Sequence, residues 1–547
     1  NLVLSHIPVC AVTLVGGDKE IPTEADFVIV GGGTAGCVLA ARLCSGLPSH
    51  KTVLLERGPP RTDDKEFIVN ALRKTYDIYE ELLPDVADIF NYFPTEPNPS
   101  LSDLETGAPG RKIGLIEGAS IGGTSNVAFQ WSYPLNGTVE SWGINGLNSE
   151  IAHRINKRVE GVIGIEQPPP ELHHDYTQDL VDAFLINNYT LTDKLSPGEG
   201  GNTIEVNFVP GDEKGNRRSS YTSYLKPVLA GVCKDSLTVI QDVTATKLFP
   251  ASDDNTRING VEYVLTSKPD LTKPYAIKAR LETIVSSGMY GSPKLLQLSG
   301  IGPANLLQSK GINKILADLP VGQKTQLRPL AVALGYYTGR QLDSVSNKTM
   351  LNDKTRKQFL AGKGGPYGKS ITATLGKSDT KGYHSGGFGQ LGFEGEPYLT
   401  LACFLNSVGF GNFSISDGAD PFADPIVHSN MLSDPADFIA AIECVENLQK
   451  VMKSFPSDFG MVDIAANIPV ANWVSATCTT SWHFVGGCAA GSVVDGYFKV
   501  IGGLRNLRVI DASVIPKVPT SGGLLASTYM LAEFASDILI DEYRSAE

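Results

Sequence analysis

Three glycines whose spacing suits phosphate binding stand near the start of the sequence, in the pattern Gly31-x-Gly33-x-x-Gly36. In such a pattern Gly31 permits a tight turn, Gly33 lets a pyrophosphate approach the backbone, and Gly36 lets a helix pack closely on a strand. An acidic residue, Glu56, follows at nearly the interval, about 20 residues, at which a carboxylate binds the ribose of a nucleotide. The pattern predicts a dinucleotide-binding site rather than an ordinary glycine-rich turn.

The sequence around these residues predicts the elements that position them. Residues 27–30 form an apolar run of β-formers, residues 35–43 are rich in Ala and Leu, and residues 52–55 form a second apolar run. We therefore expect a strand, a turn, a helix and a second strand in this order. The start of the helix, at Thr34 and Ala35, would offer free N–H groups to the phosphates.

The length and the charge balance limit the possible functions. With 547 residues, the chain is expected to form two domains. Acidic residues outnumber basic ones by 59 to 46, and the net charge of −13 argues against nucleic acids and anionic membranes as partners. The sequence contains no run of about 18 or more apolar residues, so we expect no transmembrane helix.

Two features predict secretion. The sequence starts without Met, as expected of a mature N-terminus from which a signal peptide has been removed. Four Asn-x-Ser/Thr glycosylation triplets begin at Asn136, Asn188, Asn347 and Asn412. We therefore expect an extracellular glycoprotein that carries N-glycans.

The eight cysteines do not predict a metal site, because no two of them have the Cys-x-x-Cys spacing of zinc ligands. Cys37 and Cys44 fall on the predicted first helix, where we expect free, buried thiols. The spacing leaves open one disulfide among the four later cysteines, which are Cys403, Cys444, Cys478 and Cys488.

A second glycine-rich loop, residues 114–126, is followed by Trp131, Tyr133 and Ser141-Trp142-Gly143. With this loop the sequence resembles the glucose–methanol–choline (GMC) oxidoreductases, which are FAD enzymes. The resemblance extends over nearly the whole chain and keeps the order of the family's motifs, which fall at residues 288–302, 406–409, 482–488, 493–495 and 507–513. We interpret the chain as a secreted, fungal-type member of this family.

The resemblance implies an α/β fold class with two domains. A Rossmann-like FAD-binding domain would be discontinuous and would comprise residues 24–135, 205–310 and 478–547. An α+β substrate-binding domain, built on a large antiparallel sheet, would comprise residues 136–204 and 311–477.

The resemblance also implies which residues hold FAD, without a covalent link, since no His precedes the flavin in a position suited to one. The last helix, starting near Leu525, would point its N-terminus at the flavin pyrimidine and stabilise negative charge there. The expected contacts with the pyrophosphate, ribose, adenine and flavin come from Gly31, Gly33, Thr34, Ala35, Gly36, Glu56, Arg57, Gly118, Gly122, Gly123, Thr124, Ser125, Asn126, Val243, Trp482, Asp511, Ala512 and Leu525.

Of the eight histidines, His483 stands where the family places its catalytic base. Oxidation of an alcohol by hydride transfer to flavin N5 needs a group that accepts the hydroxyl proton, and the pKa of an imidazole lies in the useful range. A lone His in an apolar block is more often a core residue, but the motif at 482–488 favours an active-site position.

The second catalytic position departs from the family pattern. Members usually place a second His or Asn just before the last helix, whereas this chain has glycine at residues 522–523 and no later His or Asn. Ser521 or Ser527 could donate a hydrogen bond instead, although a hydroxyl is a poor base near neutral pH. The block at 321–328 also lacks the Asn and the Asp-His pair that the family usually has there.

The resemblance implies oxidation of an alcohol-type substrate, with electrons passed to O₂ or to a quinone or phenoxyl acceptor. Small residues at the second catalytic position would leave room for a bulky, aromatic substrate. Aromatic side chains could line its pocket, namely Phe129, Trp131, Phe404 and Phe410.

Three alternatives remain open. A hydroxynitrile lyase on the same fold would use His483 as acid and base without net redox chemistry. A flavoprotein without turnover would only bind aromatic ligands. The first glycine motif alone would also suit an NAD-dependent enzyme, but the second glycine loop and the block around Asp511 argue against nicotinamide.

Overall fold

A computed structural model describes residues 14–15, 21–60, 90–128, 131–134, 136–166, 169–192, 202–206, 209–211, 215–339, 353–361, 365, 372–378, 383–388, 398–519 and 524–545. The helices are α1 (Thr34–Gly46), α2 (Ser149–Ile163), α3 (Thr177–Ile186), α4 (Lys226–Leu229), α5 (Gly288–Leu298), α6 (Ala304–Ser309), α7 (Asp353–Leu360), α8 (Pro435–Lys453), α9 (Val470–Thr477) and α10 (Leu524–Arg544). The strands are β1 (Leu14–Val15), β2 (Glu24–Val30), β3 (Thr52–Leu55), β4 (Phe90–Pro94), β5 (Asn98–Ser102), β6 (Pro109–Arg111), β7 (Gly114–Gly118), β8 (Ile165–Glu166), β9 (Thr190–Leu191), β10 (Asn202–Val206), β11 (Val209–Pro210), β12 (Leu237–Ile240), β13 (Val243–Pro250), β14 (Ile258–Leu265), β15 (Tyr275–Val285), β16 (Gln323–Tyr337), β17 (Thr372–Ser378), β18 (Tyr383–Phe388), β19 (Tyr398–Leu405), β20 (Gly411–Ser414), β21 (Ile426–His428), β22 (Met461–Asp463), β23 (Thr479–Val485) and β24 (Leu507–Val509).

The first sheet has a parallel centre. Its strands lie in the order β1-β12-β3-β2-β15-β14-β13, and β24 pairs with the end of β15. Strands β12, β3, β2, β15 and β24 run parallel, whereas β1, β14 and β13 run antiparallel to their neighbours. The central strands β2 and β3 are buried almost throughout, as expected of parallel strands covered on both faces. The predicted Rossmann-like α/β fold class is confirmed.

The second sheet is larger and mostly antiparallel. Its order is β21-β20-β16-β19-β18-β17-β10-β9, and β22 and β23 also pair with β16. The long strand β16 is its centre, because it pairs with β19, β20, β22 and β23. Strands β9 and β10 pair in parallel. The predicted large antiparallel sheet is confirmed, while the exact domain boundaries stay a prediction.

The register of the first sheet brings four chain segments to one edge. Val30 pairs with Leu55 and with Val285, and Val285 pairs with Val509. The residues that follow these strand ends therefore lie together: the first glycine motif, Glu56, the start of α5 and the Asp511 segment. Helix α1 leaves this edge and packs against α10.

Two disulfides cross-link the chain, Cys44–Cys233 and Cys403–Cys444. The first corrects the expectation that Cys44 is a free thiol, because Cys44 on α1 lies next to the segment that leads into β12. The second is the disulfide left open among the later cysteines, and it joins β19 to α8. Cys37 is free and buried, as expected. Within the described residues, no helix is long and apolar enough to cross a membrane.

We expect removal of the first disulfide, in a Cys44→Ser/Cys233→Ser variant, to lower the free energy of unfolding by about 3–5 kcal/mol. The two cysteines lie 189 residues apart in the sequence, and a link across so long a loop restricts the unfolded chain strongly. Urea unfolding followed by tryptophan fluorescence measures the change. A Cys37→Ser variant, which replaces a free buried thiol on the same helix, is the control. If that variant lost as much free energy of unfolding as the double variant, the prediction would be contradicted.

Candidate active site

A cavity of about 520 Å³ lies at the edge where the parallel strands end. Its wall combines both sheets, since it includes the two glycine loops, the start of α5, strand β23 and the start of α10. Ligands of open α/β sheets bind in this position, outside the carboxyl ends of the strands. Most of the sequence-predicted cofactor residues line it: Gly31, Gly33, Thr34, Ala35, Glu56, Arg57, Gly118, Gly123, Thr124, Val243, Trp482, Asp511, Ala512 and Leu525.

The first glycine loop is shaped by backbone contacts that exclude side chains. Gly31 has a φ of +103°, and a Cβ there would lie 2.5 Å from the carbonyl oxygen of Ser286. Gly36 does not line the cavity. A Cβ on Gly36 would lie 1.8 Å from the carbonyl oxygen of Gly31, so this glycine permits the helix to pack on the turn. A Cβ on Gly123 would lie 2.7 Å from the Cα of Gly33, which shows that the two glycine loops meet closely.

Glu56 is held in place by backbone donors. Its two carboxylate oxygens accept hydrogen bonds from the backbone N–H groups of Gly32 and Gly58, each at 2.7 Å. Burial raises the pKa of Glu56, and these hydrogen bonds oppose the rise. The carboxyl group is thus fixed at the cavity wall, as a carboxylate predicted to bind the ribose of a nucleotide would have to be. Its neighbour Arg57 also lines the cavity and donates to Asn91 Oδ1 at 2.8 Å.

Three predicted cofactor residues of the second glycine loop lie behind the cavity wall. Gly122, Ser125 and Asn126 are not among the lining residues. The Asn126 amide donates to the carbonyl oxygen of Ile121 at 2.7 Å, and the Ser125 hydroxyl donates to the carbonyl oxygen of Gly122 at 2.5 Å. These side chains are buried and support the loop from behind, because the loop presents its backbone to the cavity.

Asp511 is fixed at the start of α5. Its Oδ2 accepts hydrogen bonds from the Gly288 N–H at 3.0 Å and the Ser292 hydroxyl at 2.5 Å, and its Oδ1 accepts one from the Ser513 N–H at 2.8 Å. Burial raises the pKa of Asp511, against the effect of these donors. The carboxylate therefore positions the α5 terminus and Ala512 at the cavity wall.

A bulge in β23 brings His483 to the cavity. Leu327 pairs with Phe484 and Pro329 pairs with Thr480, so the three residues 481–483 lie opposite the single residue Arg328. In a regular strand, successive side chains point to opposite faces, but here all residues from 481 to 484 line the cavity. The bulge is accompanied by a φ of +58° at Trp482, which is rare for a bulky residue.

The surroundings of His483 keep its imidazole neutral. Burial, and then the positive charge of Arg328, lower the pKa of His483 well below its usual value of 6.5. The ring stacks on Phe404, with the ring centroids 5.9 Å apart. Among the described residues, His483 Nδ1 has no hydrogen-bond partner. The cavity wall therefore holds an imidazole that can accept a proton.

The structure does not bring Ser527 to the second catalytic position. Ser527 is fully buried on α10 and does not line the cavity, whereas Leu524, Leu525 and Thr528 do. One step along a helix rotates a side chain by about 100°, so Ser527 points away from the cavity face. Ser521 lies outside the described residues.

Sequence reasoning missed Arg328, although the altered block at 321–328 was a signal. Its side chain is fully buried, and burial lowers the pKa of the guanidinium to about 9, so the charge persists at neutral pH. It donates a hydrogen bond to the carbonyl oxygen of Pro519, just before the second catalytic position. Arg328 thus joins the strand opposite His483 to the segment leading into α10.

The predicted aromatic pocket is only partly present. Phe404 lines the cavity, whereas Trp131 is fully buried in the core and packs on Tyr529 with ring centroids 5.5 Å apart. Phe410 is 38% exposed and does not line the cavity, so both assignments were wrong. Phe129 lies outside the described residues. Aromatic lining residues that the sequence did not single out are Tyr92, Phe93, Tyr290, Phe413, Phe422 and Phe484.

The residues of the cavity fit FAD. The lining runs from Val243, whose N–H donates to the carbonyl oxygen of Glu56, past the two glycine loops to His483 on the second sheet. A Cβ on Gly33, which lines the cavity, would meet only the Cα of Gly123, at 3.9 Å, so the missing side chain leaves this backbone open to a pyrophosphate. The glycine loops, Glu56 and Asp511 would hold FAD, and His483 lies in the same cavity wall. Among the described residues, no group of three or more His, Cys, Asp or Glu is placed to hold a metal ion.

Comparisons with known proteins agree with this geometry. The N-terminal model of the GMC oxidoreductases matches residues 25–330, and the C-terminal model matches residues 408–532. The chain is 27% identical to the chloroplastic fatty acid photodecarboxylase of Chlamydomonas reinhardtii, over 96% of this chain and 94% of that protein.

Solved structures share the fold. A variant of the formate oxidase of Aspergillus oryzae, studied for FAD modification, matches with a TM-score of 0.81 and 21% identity over 96% of this chain and 100% of the other. A fungal aryl-alcohol oxidase matches with a TM-score of 0.77 and 18% identity, with the same coverage of both chains.

Proposed function

The chain belongs to the GMC oxidoreductase family, and from this premise we propose that it oxidises an alcohol-type substrate, with noncovalent FAD as the hydride acceptor and His483 as the base. The observation that carries the proposal is the position of the His483 imidazole, which lies in the cavity wall, stacks on Phe404 and has no hydrogen-bond partner for Nδ1 among the described residues. A base for alcohol oxidation has to be unprotonated and within reach of the substrate, and His483 meets the first condition by its surroundings.

FAD supplies the acceptor for the hydride that leaves the carbinol carbon. The substrate hydroxyl gives its proton to the imidazole of His483, so the carbinol becomes a carbonyl. Stacking on Phe404 holds the ring plane, and the bulge at 481–483 fixes its approach. The charge of Arg328 disfavours the imidazolium form, which makes His483 a weak base and favours release of its proton after each turnover.

The proposed substrate is bulky and aromatic. Aromatic side chains next to His483 offer apolar area and ring faces, and they include Phe404, Trp482 and Phe484. The electrons would leave to O₂ or to a quinone or phenoxyl acceptor. Ser521 remains the candidate that shares the substrate hydroxyl with His483.

We further propose that the protein is secreted and carries N-glycans. Its two disulfides are typical of oxidising compartments. Asn136 and Asn188 are exposed and accessible to a glycan, whereas Asn412 is half-buried in β20. Asn347 lies outside the described residues.

Anaerobic reduction of the bound flavin across a panel of substrates tests the proposed activity. Benzylic and polycyclic alcohols should bleach the flavin faster than short aliphatic alcohols. The panel includes a long-chain fatty acid under light, since one relative is a fatty acid photodecarboxylase and Arg328 places positive charge beside His483. It also includes an aromatic cyanohydrin. Decarboxylation, or cyanide release without flavin reduction, would replace the alcohol proposal. Ligand-induced spectral shifts with no reaction would indicate a binding flavoprotein.

We expect the rate constant of flavin reduction to stay constant from pH 8 down through 6.5 and to fall only at clearly lower pH. The reason is that the pKa of His483 is depressed, and acid removes the base only below the depressed pKa. Stopped-flow measurements at saturating substrate across this range provide the profile. A decline centred near 6.5 would contradict the electrostatic account of the site.

A further inference from the structure

Glu117 is an acidic residue of the cavity wall to which the proposed function gives no role. Glu117 lies on β7 opposite Asn91 of β4. It directly precedes Gly118, whose Cβ would lie 2.6 Å from the carbonyl carbon of Gly123. On its other side, a Cβ added to Gly288 would lie 3.4 Å from Oε1 of Glu117. Glu117 therefore stands between the second glycine loop and the start of α5.

The start of α5 lies beside two carboxyl groups. The Gly288 N–H donates to Asp511 at 3.0 Å, whereas the backbone of Tyr290 favours the charged form of Glu117 only weakly. Asp511 has further donors in the Ser292 hydroxyl and the Ser513 N–H. The available donors thus favour the charged form of Asp511 much more than that of Glu117. Burial, and then the charge of Asp511, raise the pKa of Glu117 to about 8.

A bound pyrophosphate would disfavour the charged form of Glu117 further. The first glycine turn touches the residues just before α5, because a Cβ on Gly31 would lie 2.8 Å from the Cα of Ser287. The phosphates of FAD would therefore sit near both carboxyl groups, and two negative phosphates repel a second carboxylate. The charge of Arg57 is shared among Glu56, Glu117 and Asp424 and does not neutralise Glu117 alone.

We propose that Glu117 binds FAD as a neutral carboxylic acid, donating its O–H to an oxygen of the phosphate–ribityl segment. The inference rests on the proposed binding of FAD. It makes cofactor binding proton-linked: the complex retains the proton, the free protein loses it at higher pH, and FAD affinity falls as pH rises.

The charged and titratable groups that face Glu117 are Arg57 after β3, Asp511 after β24 and Tyr290 on α5. Lys294 lies one turn further along α5 and also lines the cavity. Burial, and then the charge of Arg57, lower the pKa of Lys294 to about 8. Loss of the Lys294 charge would weaken FAD binding in the same pH range, so the two groups have to be separated by variants.

The test is the dissociation constant of FAD, measured by diluting the holoenzyme at pH 6 to about 10 and quantifying free FAD after ultrafiltration. The variants are Glu117→Gln, which keeps a donor but cannot ionise, Glu117→Ala, which removes the donor, and Lys294→Met. Ionisation of one linked group raises the dissociation constant by about tenfold per pH unit above its pKa. In Glu117→Gln, we expect the dissociation constant to rise about tenfold less per pH unit than in the natural protein. In Lys294→Met, the rise caused by Glu117 should still be present.

Glu117→Ala should bind FAD more weakly than Glu117→Gln at every pH, because it lacks the donor. If the logarithm of the FAD dissociation constant rose with pH at the same slope in the natural protein and in Glu117→Gln, the inference would be overturned, whatever the substrate of the enzyme. Failure to bind FAD at any pH would instead overturn the proposed function. Linked binding of FAD with no alcohol oxidation would leave the role of Glu117 intact and contradict only the proposed reaction.

Discussion

Replacement of His483 by Ala is expected to lower the rate constant of anaerobic flavin reduction by about 10²–10⁴-fold, while FAD stays bound. His483 is the histidine in the described cavity wall, and its neutral imidazole is the group placed to accept the substrate proton. The glycine loops that fit the cofactor belong to other segments of the chain. Stopped-flow absorbance at the flavin bands, with the best substrate of the panel, measures the effect.

The matched control is His428→Ala. His428 is exposed on β21, where it pairs with Asn412, and it is absent from the cavity wall. Its loss should leave both the flavin spectrum and the reduction rate unchanged. If His483→Ala reduced flavin within about threefold of the natural rate, the proton would have to leave by another route, such as solvent or the segment that contains Ser521.

The nucleotide half of the site could be predicted from the sequence because its geometry is local. A strand, a turn and a helix within residues 24–46 fix the positions of Gly31, Gly33 and Gly36, and the register of β2 on β3 then brings Glu56 beside them. The resemblance to a family added the second glycine loop and Asp511. These residues line the cavity or hold its wall in place, since each follows a buried strand or supports a tight backbone turn.

The reacting half could not be predicted to the same depth, because it depends on pairings between distant segments. The bulge that brings residues 481–484 to one face arises from the register of β23 on β16, which a single strand does not reveal. Ser527 was a candidate for the second catalytic position, but the rotation of α10 brings Thr528 to the cavity instead, and the sequence does not reveal that rotation. Aromatic type alone could not separate Phe404 in the wall from Trp131 in the core, since both are large apolar side chains that gain from burial.

The second large effect is expected from Gly36→Ala, which should raise the dissociation constant of FAD at least about 100-fold and lower the free energy of unfolding by about 1–3 kcal/mol or more. The new Cβ would lie 1.8 Å from the carbonyl oxygen of Gly31. Backbone atoms form this contact, so α1 or the turn has to move. Either shift displaces the N–H groups of Thr34 and Ala35 from the cavity wall. Flavin content after gel filtration and urea unfolding measure the two effects.

Gly161→Ala is the matched control, because Gly161 also lies within a helix, α2, and a Cβ there would meet nothing within 4 Å. This change should leave FAD binding unaltered and raise the free energy of unfolding by up to about 1 kcal/mol, since Ala favours helix more than Gly does. The opposite signs of the two Gly→Ala effects separate close packing from helix propensity. If Gly36→Ala kept its FAD affinity within about threefold, FAD binding would not need the close contact of α1 with the first glycine turn.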